Sequence, residues 1–375
     1  MSNPRIFRYS PPCPAMLSPA EKPIIALTLG DPAGVGPEVV LRAWCDARVH
    51  ACCRPVAVGR PEFLEQAAEL LGQPAAVHPI DSVTAIRMLG EDTGDLLNIA
   101  CLPVGGVDAL EAPRGQLDPR TGHAAYEAVC RATRGALAGE FAAVVTAPLS
   151  KAALHAAGHL YPGHTELLAE LCGVDDFAMM LYLPKAELPE SRAGLGVVHT
   201  TLHCAMRDAI AGLNSAEITA KCVLADDVVR NGFGIDDPQI GVCALNPHAG
   251  EDGLFGDEER QIIAPAVAAA NAAGVHAVGP LPADTIMVRA AAGEFDAVVA
   301  MYHDQGHIAL KLLGMHRAVN ITLGLPIIRT SVAHGTAFDR AWTGTAESSG
   351  MVAAITTAAA LARRKGAVAH QKSSD

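Results

Sequence analysis

Three histidines, His203, His248 and His303, stand in the contexts TTLHCAMRD, LNPHAGEDG and MYHDQG, each just beyond an apolar run fit for a buried strand. Three neutral imidazoles from well-separated segments can hold a divalent transition ion and leave positions open for substrate, the layout of a catalytic rather than a structural site. The plainer alternative is a histidine hydrogen-bonded at the protein surface, and no compact signature such as H-E-x-x-H decides between the two. Arg329 sits in the apolar stretch ITLGLPIIRT. An arginine in that setting meets either a protein carboxylate or an anionic ligand. With Lys311 it supplies a local anion pocket in a chain whose 28 Lys and Arg against 40 Asp and Glu leave a net charge of −12. Asp304, beside His303, suits either orienting that imidazole or moving a proton.

Four further places hold polar groups at element ends. GHTELLAE puts His164 and Thr165 at the start of an apolar-periodic helix, where Thr165 fits a cap. GPLPADTIM, from Gly279 to Met287, reads as a rigid turn into a helix, with Asp284 placed to cap it or to touch a ligand. Asn320 lies with Arg329 among glycine turns. LTLGDPAGVGPEVV follows a strand and opens a helix, so its backbone N–H groups suit an anion or simply a tight turn. It does not keep the G-x-G-x-x-G register of a dinucleotide fold.

What must position these groups is an alternation of strand-like and helix-like segments running from Pro23 almost to the end. Continuous apolar strands such as PIIALTLG, FAAVVTAP and DAVVAMYH, separated by amphipathic helices, predict an α/β fold with mostly parallel sheet and helices on both faces. In open sheets of this kind ligands collect beyond the carboxyl ends of strands, which brings the segments of His164, His203, His248 and His303 to one rim.

At 375 residues the chain is long enough for two domains, and with 50% hydrophobic but 4% aromatic residues its core is aliphatic. The acidic balance and the lack of a long basic run argue against nucleic acid or an anionic membrane as partner. Ten cysteines without C-x-x-C spacing read as reduced thiols of a cytoplasmic protein. The proline-rich N-terminus lacks the apolar core of a signal peptide, and residues 1–22 read as a disordered arm.

Eight stretches in order, GDPAGVGPE, TAPLSK, GHTELLAE, TTLHCAMRD, LNPHAGEDGLFGDEE, GPLPADT, MYHDQGHIALK and VNITLGLPIIRTSVAHGTAFD, resemble the 4-hydroxythreonine-4-phosphate dehydrogenase (PdxA) family from Ile24 to the final helix. The resemblance implies a two-domain fold similar to isocitrate and isopropylmalate dehydrogenases. Residues 23–150 with 325–375 would form a first domain carrying cofactor-side turns, and 151–324 a second carrying the metal ligands and a dimer interface. It implies a homodimer with a shared active site that uses NAD, or NADP, and a divalent metal such as zinc to oxidise a secondary alcohol of a small anionic hydroxy acid, with decarboxylation of the keto acid. On this reading His203, His248 and His303 hold the metal, with His303 supplied by the partner subunit. His164, Thr165, Lys311, Asn320 and Arg329 bind substrate, Lys311 and Asp304 are catalytic, and Gly279, Asp284 and His334 contact the cofactor.

Two departures from the family pattern, Ala333 where an acid usually precedes the histidine and Trp342 where a glycine is common, fall near the cofactor and substrate rim. HDQGHIALK resembles a paralogous branch, whose members act on phosphorylated four-carbon sugar acids or on the cis-dihydrodiol of terephthalate. Two other classes compete. A metal-dependent hydrolase would use the same histidines to activate water without nicotinamide. A non-catalytic anion-binding protein would need no metal.

Overall fold

The computed structural model of the chain describes residues 22–87 and 96–372. The arm expected over residues 1–22 lies, up to residue 21, outside the described residues. Twelve strands form one sheet: β1 (Ile24–Thr28), β2 (Arg54–Val58), β3 (Ala76–Pro79), β4 (Asn98–Leu102), β5 (Ala143–Thr146), β6 (Ala178–Pro184), β7 (Gly194–His199), β8 (Ile240–Cys243), β9 (Ala277–Leu281), β10 (Ala297–Ala300), β11 (Val319–Leu323) and β12 (Arg329–Val332). Their order is β3-β4-β2-β1-β5-β12-β11-β6-β7-β10-β8-β9.

The sheet is mostly parallel, as the apolar strands require. Antiparallel pairing is confined to its middle, where β11 pairs with β12 and β6, and β6 with β7. Strands β5, β7 and β10 are buried along their whole length, which explains why their sequences read as continuous apolar runs rather than alternating ones. The helices Pro119–Leu137 and Ser349–Lys372 cover β1 and β5. The first of these starts where Asp118 accepts the Arg120 N–H and Pro119 fills the opening turn, a cap contributing about 1 kcal/mol.

The chain order places β10 between β7 and β8, all three parallel. His303, His203 and His248 therefore follow three adjacent strand ends. Gln305 ties two of those ends together, accepting the Met301 N–H and donating to the Ala244 carbonyl.

Some local expectations need correction. Thr165 does not cap its helix, because the N-cap is Gly163, in extended backbone, and the helix begins at His164. Asp284 caps nothing: the helix Ala283–Ala291 has Pro282 at its N-cap and no side-chain cap. Gly279 belongs to the edge strand β9 rather than to a turn, and a Cβ there would come within 2.6 Å of the Val242 carbonyl oxygen. The glycine-rich GDPAGVGPE segment is a tight strand-to-helix turn, with buried Asp31 accepting the Ala33 N–H. Among the described residues all nine cysteines are free thiols, and no helix is long and apolar enough to cross a membrane.

Candidate active site

A cavity of about 310 Å³ opens beyond the strand ends. It is lined by His164 and Thr165 from the helix His164–Cys172, His203 from the loop after β7, and His303 and Lys311 from the helix His303–Gly314. Asn320, Arg329 and His334 from β11, β12 and the segment beyond complete the wall. Eight of the residues singled out from sequence thus share one concavity. Asp304, His248, Gly279 and Asp284 do not line it.

Arg329 is 2% exposed, yet its guanidinium donates only to hydroxyls, Nη1 to Thr322 at 3.0 Å and Nη2 to Thr146 at 2.7 Å, while Nε has no partner. Burial pulls its pKa down to about 9, with Glu166 opposing. A buried cation whose partners are neutral is costly until an anion arrives. Lys151 and Lys311 line the same cavity against the single carboxylate of Glu166, so the pocket is locally positive within an acidic chain. His164 is held well below its ordinary pKa by burial and by the charges of Arg329 and Lys151, and its Nε2 is unpartnered. It stands neutral beside the cations. The carbonyl oxygen of Asn320's side chain is also unpartnered.

The rings of His203 and His303 lie 5.9 Å apart in this chain. Asp304 lies 2.6 Å from Nδ1 of His303, which directs Nε2 of that ring away from this contact. Burial and the neighbouring Lys151 and His303 lower the His203 pKa, favouring the neutral form that a metal needs. Of the two roles open to Asp304 in the sequence, its contact is the one that orients an imidazole.

Behind this pair stands a second one that sequence reasoning left without a role. His307 stacks on His303 with ring centroids 3.7 Å apart, and its Nδ1 lies 3.0 Å from Nε2 of His199 at the end of β7. Burial first, then neighbouring positive charge, pushes His307 down to about 4 and His199 to about 3, so both are neutral at physiological pH. Lys151 and Thr146 were also missed as individual residues. The strand-end motif TAPLSK, which holds both, was the available signal.

His248 is placed differently. Its side chain is 70% exposed and its Nδ1 is bound to Glu251 at 2.9 Å. From His248 to Asp252 the backbone runs through five consecutive left-handed residues, φ from +46° to +80°, each non-glycine among them costing about 1–2 kcal/mol. Among the described residues no three ligating side chains gather to hold a metal within one chain. His303 lies beside His203 in the same chain, and His248 stands apart from the cavity that both line.

A second cavity of about 390 Å³ shares Lys311, Ala333, His334 and Gly335 with the first and extends to Asp339, Arg340 and Glu347. Of the two departures from the family pattern, Ala333 lines both of these cavities and Trp342 lines neither. Trp342 acts as a brace instead: its backbone N–H donates to buried Glu38, its Nε1 donates to the Pro32 carbonyl at 2.9 Å, and the Arg114 guanidinium lies over its ring.

The chain matches the model of the family described as pyridoxal phosphate biosynthetic protein PdxA over residues 51–358. It is 43% identical to D-threonate 4-phosphate dehydrogenase of Salmonella typhimurium, covering 91% of this chain and 100% of that protein. A crystal structure of 4-hydroxythreonine-4-phosphate dehydrogenase from Klebsiella pneumoniae superposes with a TM-score of 0.80 at 44% identity, covering 91% of this chain and 98% of that one. A terephthalate 1,2-cis-dihydrodiol dehydrogenase from Burkholderia xenovorans is more distant, with a TM-score of 0.60 and 28% identity over 90% of this chain and 98% of that one.

Proposed function

The chain belongs to the PdxA family, and from that premise we propose that it is an NAD- and divalent-metal-dependent dehydrogenase. Its substrate would be a phosphorylated four-carbon hydroxy acid of the 4-hydroxythreonine 4-phosphate or D-threonate 4-phosphate type, oxidised at a secondary alcohol and then decarboxylated. The observation that carries this reading is Arg329, a buried cation with hydroxyl partners only, facing a cavity already lined by two further lysines.

On this reading Arg329, His164, Thr165 and Asn320 bind and orient the anionic end of the substrate. Lys311, on the cavity wall, would take the alcohol proton as the hydride leaves and return it to the product after CO2 is lost. Asp304 fixes the tautomer of His303. His203 and His303 fit a transition-metal site, their rings lying side by side, and His248 would reach it from a second copy of the chain. When bound, the cation supplies Lewis-acid stabilisation of negative charge and the nicotinamide accepts the hydride. His334 lines both cavities, which supports reading it as a contact of the cofactor.

A homodimer with a shared site has further support in the side chains left exposed around these residues. Ile308, Leu312 and Met315 form an outward stripe on the helix of His303 or just beyond it, and Leu254 and Phe255 flank the His248 turn. We read the two halves of the sheet, meeting at β11 and β12, as the two lobes of this enzyme, working in the cytoplasm. Purified protein with NAD and cobalt(II) or zinc should form reduced nicotinamide, measured by absorbance, on phosphorylated four-carbon hydroxy acids. Absence of turnover on these and on the terephthalate cis-dihydrodiol, with metal bound, would favour the hydrolase alternative.

A further inference from the structure

The root of the left-handed turn that carries His248 is held chiefly by Glu259, with Glu258 also accepting the Asn246 side-chain amide. Glu259, 6% exposed, accepts the backbone N–H of Leu245 at 2.9 Å and of Asn246 at 2.7 Å on Oε1, and the Asn246 side-chain amide at 2.9 Å on Oε2. The fit is close at the centre of the turn, where a Cβ on Gly250 would stand 2.7 Å from Oε2 of Glu259. Five successive residues with positive φ do not persist without such an external constraint. A carboxylate suits the task because it accepts only, so three converging N–H donors meet no competing donor.

We infer that Glu259 is the positioning residue for His248, clamping the root of the left-handed turn so that the imidazole is presented outward at a fixed place for the metal site of a second copy. The inference rests on the proposed role of His248. Glu259 itself touches neither substrate nor metal. Gln305, which bonds Ala244 just before this root, links the clamp to the strand end that carries His303. The turn thereby keeps its place relative to the other strand ends.

The test is titration of the metal-free, full-length assembled protein with cobalt(II), read by its visible absorption, together with thermal midpoint and oligomeric state. Glu259→Gln, which sets an N–H donor against donors, should weaken cobalt binding roughly 10- to 100-fold and change the absorption envelope, with the assembly intact. Glu258→Gln, which keeps an acceptor for the Asn246 amide, should bind cobalt as the unmodified chain does. If His248→Ala binds cobalt normally, the ligand role of His248 fails, whatever Glu259 does. If His248→Ala loses binding while Glu259→Gln keeps the affinity and spectrum of the unmodified protein, the positioning role is overturned. Should Glu259→Gln fail to fold, Gly250→Ala displaces the clamp from the other side. Weakened cobalt binding by the folded Gly250→Ala protein supports the inference, and unchanged binding overturns it.

Discussion

The pocket at the middle of the sheet and the edge beyond β8 and β9 were both singled out by polar residues after apolar strands, but they handle those residues in opposite ways. In the pocket, groups from several separate segments turn inward, and burial keeps Arg329, His164 and His203 away from their ordinary pKa values. At the edge, His248 faces outward on a strained turn, Gly279 lies in the edge strand, and Asp284 caps nothing. The difference teaches that one region gathers its anion-binding groups within a single chain, whereas the other turns its histidine outward.

The sharpest way to break that comparison is to separate the two regions genetically. His248→Ala and Arg329→Met should each abolish most activity alone while leaving the fold intact. Mixed and reassembled, they should recover roughly a quarter of the original turnover, because random pairing makes about half the dimers mixed and half the sites of each mixed dimer are intact. No recovery in demonstrated mixed dimers would mean that both residues serve one chain's site. Arg329→Met by itself should raise KM for a phosphorylated substrate roughly ten- to a hundredfold, from loss of about 1.5–3 kcal/mol of charge-assisted binding. The same change should raise the thermal midpoint of the free protein, because it removes a buried cation paired only with hydroxyls; an unchanged KM would place the anion elsewhere.

Stability against pH should also divide the regions. Asp31 lies behind the pocket wall, its backbone N–H bonded to the Pro148 carbonyl, and burial raises its pKa from 3.8 to about 6. In that window the folded state holds the proton that the unfolded state has released, so stability falls as pH rises, by at most about 3 kcal/mol. Asp31→Asn should remove this slope in denaturant titrations. Glu259 at the edge has the opposite sign. Burial alone would raise its pKa, but the hydrogen bonds from Asn246 and Leu245 outweigh that and lower it. Its contribution is present above the ordinary carboxylate value and lost as pH falls through the folded one.

The smallest expected effect concerns the nicotinamide. His334→Ala, on the wall shared by both cavities, should raise KM for NAD about two- to tenfold, the loss of a single hydrogen bond. Asp284→Ala should do so only if the edge of one copy reaches the cofactor of another. Equal effects from the two variants in a demonstrated monomer would erase the distinction between the regions.

By itself the sequence determined the α/β class, the strand ends and most of the pocket, because apolar periodicity and strand-closing polar groups are local signals that survive any tertiary detail. His164, Thr165, His203, His303, Lys311, Asn320 and Arg329 could all be named that way, and His334 only through the resemblance to the PdxA family. Only the tertiary structure decided which way each strand end turns. The residues after β8 read like those after β10, yet Glu259, beyond the turn itself, holds its root while the backbone takes a left-handed course that points His248 away. Likewise Thr165 and Asp284 had the right type and place for caps, and the backbone at Gly163 and Pro282 began those helices without them. Direction at a turn depends on hydrogen bonds between residues distant in sequence, and no local pattern of residue types encodes those.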